Sequence, residues 1–166
     1  SLNPAHPLIT QAKTKGHNCA WQEGDDLVYF DGTKAYPVVN VKDIPISMGG
    51  AADYNIRNAL GALCLAKVMN IDNKAIALGL CNFKNDAKDN PGRCNEFAIK
   101  GARVFVDFAH NPHSISAVTD AMAGVPAKRR FIMISHAGDR SDQDILDATQ
   151  IALALNPDFL MAAELP

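Results

Sequence analysis

A change of pattern close to residue 90 limits the folds that this chain can adopt. Turn-forming residues (Asn, Asp, Pro and Gly) are concentrated between Phe83 and Arg93. Beyond them, short apolar runs alternate with segments of helical periodicity, which is typical of a parallel sheet covered by helices. The sequence therefore predicts a domain boundary here. It predicts an α/β domain with a mainly parallel sheet and flanking helices over residues 91–166, preceded by a separate region over residues 1–90.

Local patterns predict the individual elements. Apolar runs at residues 19–22, 27–30 and 35–41, separated by turns, predict a small antiparallel meander. Apolar side chains at three- and four-residue steps predict a helix over residues 53–69 with Asp53 as its N-cap, and a second helix from residue 72 or 73 to about 81. In the second region we expect strands at residues 96–99, 102–108, 130–135 and 159–162, helices at about 113–123 and 143–155, and a turn at Lys100 and Gly101.

Composition excludes several classes of protein. With 48% hydrophobic and 20% charged residues, the 166-residue chain is typical of a globular protein. A net charge of -2, from 16 Lys and Arg against 18 Asp and Glu, argues against nucleic acid as a partner. The basic run Lys128, Arg129 and Arg130 precedes an apolar segment, so we interpret it as the solvated entrance to a strand. We expect no membrane partner, because no apolar stretch reaches the ~20 residues that span a bilayer.

The same reasoning sets expectations for compartment and completeness. No signal-peptide pattern opens the chain, so a cytoplasmic protein is expected. The four cysteines include no Cys-x-x-Cys pair, so we predict neither a zinc site nor a disulfide framework. The abrupt polar start and apolar end lead us to expect a piece of a longer protein.

The segment from Asp107 to Pro112 begins where the apolar run Val104 to Val106 of a predicted strand ends. Ligands of sheets in this class bind at the carboxyl ends of the strands. The Asp107 carboxylate could accept hydrogen bonds from a ribose, and His110 and Asn111 could contact a phosphate or a sugar. A structural interpretation is equally open: Asp107 would cap the turn, and Asn111 with Pro112 would begin the next helix.

Two further loops hold charged residues beside a glycine. Arg93 follows Gly92, and a guanidinium can bind a phosphate or a carboxylate with two parallel hydrogen bonds; a solvated loop arginine is the alternative. After the strand at 130–135 come Gly138, Asp139 and Arg140, whose two charges could hold a zwitterionic amino acid. The alternative there is a salt-bridged loop in which Ser141 or Asp142 caps the following helix.

Asparagines and histidines offer weaker signals. Asn55 and Asn58 open the first predicted helix and could bind an adenine edge, although asparagines at helix starts are more often caps. His110 and His113 are three residues apart, but without an obvious third ligand we predict no metal site in this chain. No Gly-x-x-x-x-Gly-Lys-Ser/Thr loop is present, so the chain cannot bind a triphosphate by that device.

Taken in order, these segments resemble the distal part of the Mur ligase family, which joins an amino acid to a carboxylate through an acyl phosphate. The resemblance extends from about Trp21 to the end of the chain, and within the family it is strongest to the cyanophycin synthetases. The motifs that support it are Asp43-Ile44-Pro45-Ile46, Gly49-Gly50-Ala51-Ala52, Asn55-x-x-Asn58-Ala59-Leu60, Asn90-Pro91-Gly92-Arg93, His110-Asn111-Pro112-His113 and Gly138-Asp139-Arg140.

The resemblance implies a role for each matching residue. Asn55 would face the adenine, although many relatives have a histidine where this chain has Tyr54. Arg93, Asp107 and His110 would be catalytic residues at the ATP phosphates, the ribose and the nucleotide, respectively. Asn111 would also contact the nucleotide. The incoming amino acid would be bordered by Gly138, Asp139 and Arg140.

The resemblance also implies a fold and an activity for the whole protein. Residues 91–166 would form a truncated, Rossmann-like C-terminal domain, and residues 1–90 the end of the central ATPase domain. The protein would use ATP and Mg²⁺, with the phosphate-binding loop and metal ligands upstream of Ser1, so this chain alone would be inactive. Its partners would be ATP and an amino-acid or peptide substrate, with a homo-oligomer possible. The alternative is a non-catalytic module of the same fold that binds a nucleotide or an amino acid.

Overall fold

The computed structural model describes residues 1–136 and 140–164. The chain divides into two compact units, Ser1–Asn90 and Pro91–Pro166. The elements of the first unit are α1 (Pro7–Thr14), β1 (Cys19–Glu23), β2 (Asp26–Phe30), β3 (Ala35–Asn40), α2 (Asp53–Val68) and α3 (Asn73–Asn82), with short 3-10 turns at Val41–Asp43 and Pro45–Ser47 between β3 and α2.

The three strands of the first unit form the predicted antiparallel meander, in the order β1-β2-β3. Gly24 adopts a left-handed backbone in the tight β1–β2 turn. In the β2–β3 turn the Asp31 carboxylate accepts hydrogen bonds from the backbone N–H groups of Thr33 and Lys34, both at 2.9 Å. Short turns of this kind join antiparallel neighbours, and the meander is confirmed.

The meander is covered on both faces. Leu27 and Tyr29 pack with Ile56 and Leu63 of α2 and contribute to the main core. Val28 and Trp21 form a smaller cluster with Ile9 of α1, a helix that the sequence patterns did not predict. The sheet therefore contributes apolar side chains to a hydrophobic cluster on each of its two faces.

The start of α2 corrects one prediction. Ala52 is the N-cap, and Asp53 is the first helical residue. The fully buried Ala52 makes no side-chain capping bond, and its backbone N–H donates to the Ser47 carbonyl at 2.9 Å. The preceding turn therefore fixes the start of the helix, and Asp53 adds a negative charge in the first turn, where the helix dipole favours it.

The second unit has the predicted order of strands and helices. Its elements are β4 (Asn95–Ile99), β5 (Ala102–Val106), α4 (Pro112–Ala123), β6 (Phe131–His136), α5 (Asp142–Leu153) and β7 (Phe159–Glu164). Strand β5 ends two residues earlier than expected, because Asp107 and Phe108 lie in the loop that follows it.

The pairing of these strands differs from the prediction of a mainly parallel sheet. In the described part of the unit, β4 and β5 form an antiparallel hairpin, while β6 and β7 form a separate parallel pair. The hairpin turn contains Lys100 and Gly101, with φ angles of 49° and 82°. Two successive left-handed residues make the tight turn that joins antiparallel strands, whereas the α5 crossover makes β6 and β7 parallel.

Helices α4 and α5 pack together on one face of the parallel pair. Ile115 of α4 and Ala148 of α5 are buried, and Ile132 and Ile134 of β6 pack against them. Arg130, the half-buried member of the basic run, donates from one guanidinium nitrogen to the carbonyls of Met122 (3.3 Å) and Val125 (2.7 Å). It therefore stabilises the end of α4, while Lys128 and Arg129 are exposed as expected.

All four cysteines are free thiols. Burial raises the pKa of the Cys64 thiol above its ordinary value. No helix within residues 1–136 or 140–164 is long and apolar enough to cross a membrane.

Candidate functional site

Arg93 lies in a turn of unusual backbone conformation just before β4. The residues on either side of it are left-handed, with φ angles of 70° at Gly92 and 51° at Cys94. For a residue with a Cβ this conformation costs about 1–2 kcal/mol, and Cys94 is fully buried. The Arg93 side chain is exposed and donates from Nη1 to the Gly92 carbonyl at 3.1 Å. The turn thus presents a solvated guanidinium from a backbone that needs support.

Asp107, at the end of β5, supplies that support. Its Oδ2 accepts the Cys94 backbone N–H at 2.8 Å, and its Oδ1 accepts the Ala109 N–H at 2.7 Å. The Phe108 N–H also donates to the Gly92 carbonyl at 2.8 Å. These bonds join residues 92–95 to residues 107–111, and we call the joined segments the Asp107 junction. Each carboxylate oxygen can accept a second hydrogen bond, so a ligand hydroxyl can still bind there.

His110 is exposed on the Asp107 junction in a defined hydrogen-bonding state. Its Nδ1 lies 3.0 Å from the Phe108 carbonyl oxygen, and its ring centroid lies 5.4 Å from that of Phe108. A carbonyl oxygen only accepts, so we assign the proton of the neutral ring to Nδ1. Nε2 is then the acceptor that His110 offers to a ligand hydroxyl or amide.

Asn111 has the structural role left open by the sequence. It is the N-cap of α4, and its side-chain oxygen accepts the Ser114 N–H at 2.9 Å. The Ser114 hydroxyl in turn accepts the Asn111 N–H at 3.2 Å, which completes a capping box. Asn111 therefore fixes the first turn of α4. The helix N-terminus, which carries a partial positive charge, follows directly on the Asp107 junction in the sequence.

One residue of the junction was missed by sequence reasoning. Asn95 is only 3% exposed, and its Oδ1 accepts the Gly92 N–H at 2.7 Å. The one available signal was an asparagine three residues after a turn glycine, a spacing too common to single it out. Its importance depends on burial, which local spacing does not reveal.

The third predicted loop is only partly described. Gly138 and Asp139 lie outside the described residues. Arg140 is half-buried and directly precedes Ser141, which caps α5 by accepting the Asp144 N–H at 3.2 Å. The capping role considered for Ser141 is confirmed, and the binding of an amino acid by Gly138, Asp139 and Arg140 stays a prediction.

Asn55 belongs to the first unit and is 4% exposed. Its Nδ2 donates to the Ile46 carbonyl at 2.8 Å, and its Oδ1 accepts from Asn58 Nδ2 at 3.3 Å. Nearby, the buried Ser47 hydroxyl donates to the Val41 carbonyl and accepts the Gly50 N–H at 3.1 Å. These side chains together fix the segment that leads into α2.

The hairpin beside the junction contains a second arginine in a different environment. Arg103 binds the Glu96 carboxylate through Nε at 2.5 Å and Nη2 at 3.0 Å, and this bond holds the pKa of Glu96 below its ordinary value. Arg103 is thus committed to a neighbouring carboxylate, whereas Arg93 is presented to solvent. Among the residues whose positions are described, no group of three His, Cys, Asp or Glu side chains could hold a metal ion.

Comparison with known proteins identifies the family of the second unit. The model of the Mur ligase glutamate ligase domain matches residues 92–163, which include the whole Asp107 junction. Residues 92–163 belong to the Mur ligase family. The resemblance inferred from the sequence motifs is thereby confirmed, and the Asp107 junction is a feature of this Mur ligase region.

Curated relatives extend the likeness to nearly the whole chain. Cyanophycin synthetase of Trichormus variabilis is 30% identical over 164 residues, which are 99% of this chain and 18% of that protein. Cyanophycin synthetase of Synechocystis sp. is 34% identical over 152 residues, 92% of this chain and 17% of that protein. UDP-N-acetylmuramate–L-alanine ligase of Ruthia magnifica is 34% identical over 146 residues, 80% of this chain and 29% of that protein. The chain thus spans less than a fifth of the length of the cyanophycin synthetases that it matches.

Proposed function

We propose that this chain is part of an ATP-dependent amide-bond ligase that joins an amino acid to a carboxylate through an acyl phosphate. The names of its relatives, two synthetases and a ligase, support this reaction class. The structural observation that supports it best is the Asp107 junction, in which a carboxylate brings an exposed arginine and an exposed histidine onto neighbouring loops. Cyanophycin-type addition of arginine or aspartate is the specific form that we propose.

The proposed reaction has two steps. A carboxylate oxygen of the acceptor attacks the γ-phosphorus of ATP, the bond to the bridging oxygen breaks, and ADP leaves. The amine of the incoming amino acid then attacks the acyl carbon, phosphate leaves with the electron pair of its bond, and the nitrogen loses a proton. Both steps need alignment and balance of negative charge more than a protein nucleophile.

The residues of the junction suit these needs. The Arg93 guanidinium would balance phosphate charge through paired hydrogen bonds. Asp107 would accept a ribose hydroxyl on a carboxylate already held rigid by two backbone N–H groups. Nε2 of His110 would accept a further hydrogen bond from the nucleotide.

The remaining predicted residues would complete the site. Asn111 would fix the first turn of α4 beside the nucleotide. The amino acid would bind near Gly138, Asp139 and Arg140. As the family resemblance implies, the metal ligands and the triphosphate-binding loop would lie upstream of Ser1, and we assign no step to the metal here.

The test compares two lengths of protein. The full-length protein, supplied with ATP, an amino acid and a carboxylate acceptor, should release ADP and form an amide detectable by mass spectrometry. The 166-residue chain alone should hydrolyse no ATP. Arg93→Ala should lower kcat/KM about 100-fold or more. The matched variant Arg129→Ala removes an exposed arginine of the same unit and should leave the rate unchanged.

Two results would contradict the proposal. ATP hydrolysis by the 166-residue chain would show that no upstream loop is needed. Calorimetric binding of ATP by the full-length protein without amide formation, for any amino acid tried, would favour a non-catalytic nucleotide-binding module instead.

A further inference from the structure

Asn95 is a buried polar residue with a specific bond to the turn that presents Arg93. It is the first residue of β4 and is paired with Val106, the last residue of β5. Its Oδ1 accepts the Gly92 N–H at 2.7 Å from a side chain that is 3% exposed. A hydrogen bond shielded from water is not readily replaced by solvent, so the Gly92 N–H depends on this one acceptor.

The backbone on both sides of Arg93 is held by a side-chain acceptor. Asn95 binds the N–H of the residue before it, and Asp107 binds the N–H of the residue after it, Cys94, at 2.8 Å. Gly92 and Cys94 are both left-handed, and Cys94 takes this conformation despite its Cβ. The direction in which the Arg93 side chain leaves the backbone is therefore imposed by the two acceptors and not by local preference.

We propose that Asn95 is a positioning residue for Arg93, which acts by holding the Gly92–Arg93 turn in its left-handed form. The inference rests on the proposed function, in which the Arg93 guanidinium balances phosphate charge. Without the carboxamide, the Gly92 N–H would lose its acceptor and the turn would sample other conformations. The Arg93 guanidinium would then occupy its phosphate-binding position only part of the time, and the preorganisation of the site would be lost.

The experiment is a double-mutant cycle in the full-length protein with ATP as the varied substrate. Asn95→Ala should lower kcat/KM for ATP about tenfold, because the Gly92 N–H loses its acceptor. Arg93→Ala should lower it about 100-fold. The double variant should be no more than about twofold worse than Arg93→Ala alone, because Asn95 acts through an arginine that is already absent. The control Gln150→Ala removes an exposed carboxamide on α5 and should match the parent.

A second measurement separates positioning from a general loss of stability. Asn95→Asp keeps an oxygen where the Gly92 N–H needs it but adds a buried charge, so it should melt at a lower temperature than the parent. It should nevertheless keep kcat/KM for ATP within about threefold of the parent value. Hydrogen exchange of residues 91–95 should be faster in Asn95→Ala than in Asn95→Asp.

The outcomes distinguish this inference from the proposed function. Independent effects in the cycle, with the double variant about tenfold below Arg93→Ala, would overturn the role of Asn95. So would an Asn95→Asp variant as inactive as Asn95→Ala. If Arg93→Ala itself retained parental activity, the proposed role of Arg93 would be the one that fails.

Discussion

Removal of the Asp107 carboxylate should destabilise the second unit by more than any other single polar change at the junction. The carboxylate accepts two backbone N–H groups, from Cys94 at 2.8 Å and from Ala109 at 2.7 Å. A hydrogen bond to a charged group contributes about 1.5–3 kcal/mol net. Cys94 is fully buried, so its N–H cannot bind water once the acceptor is gone. Ala109 is half-buried, and its N–H can partly be rehydrated.

These contributions set the expected magnitude. Asp107→Ala should lower the free energy of unfolding of the second unit by about 2–4 kcal/mol, less than two full charged bonds because of the rehydration at Ala109. Asp107→Asn should lower the free energy of unfolding by about half as much. Its amide keeps one oxygen as an acceptor but directs an NH₂ group toward the second backbone N–H.

Hydrogen exchange followed by mass spectrometry gives a local readout of these changes. Amides of β4 and β5 should exchange about 30- to 1,000-fold faster in Asp107→Ala, which corresponds to the same free energy at 1.4 kcal/mol per tenfold. Amides of β1 to β3 belong to the other unit and should be unaffected. Asp120→Ala, an exposed aspartate on α4, should change stability by less than about 0.5 kcal/mol. A loss of stability in Asp107→Ala no larger than that in Asp120→Ala would show that the Asp107 carboxylate does not support the backbone of the junction.

Two further predictions concern the first unit, in which Trp21 is the sole tryptophan of the chain and can report unfolding by its fluorescence. Leu63→Ala should lower the free energy of unfolding by about 2–5 kcal/mol, because this side chain is fully buried in the main core, and a change below 1 kcal/mol would contradict that placement. Asp31→Ala should destabilise the unit at pH 7, because the Thr33 hydroxyl and the backbone N–H groups of Thr33 and Lys34 lower the pKa of Asp31 from 3.8 to about 2. That stabilisation is present above pH 3.8 and is lost as the pH falls through 2, so urea midpoints of parent and variant should converge over this range and not at higher pH.

Much of the fold could be predicted because helices and hairpins depend on neighbouring residues. The three- and four-residue spacing of Ile56, Leu60 and Leu63 predicts the buried face of α2. The pair Lys100 and Gly101 predicts the hairpin turn, and Asn111 before Pro112 predicts the start of α4. These signals operate within a few residues, where backbone preference and hydrogen-bonding reach are visible in the sequence.

The pairing of strands could not be predicted in the same way. An alternation of strands and helices indicates parallel neighbours, yet the described strands of the second unit form one antiparallel and one parallel pair. Whether β5 pairs with β6 depends on contacts between residues far apart in the chain. Local periodicity gives no information on such contacts. The short α1 was missed for a related reason, since its helical face is identified by the Ile9 contact with Trp21 and Val28 and not by a strong pattern of its own.

The residues alone indicate which chemical groups are available to this protein: an arginine beside a glycine, an aspartate, a histidine and an asparagine near the end of a strand, and motifs in the order of a Mur ligase. How those groups are used depends on the folded chain. It joined the Arg93 and Asp107 loops, buried Asn55 and Asn95, and turned Asp107 into an acceptor for two backbone N–H groups. The physical reason is that the chemistry of a side chain is fixed by its own atoms. Its partners and its exposure are set by residues brought near it from elsewhere in the chain.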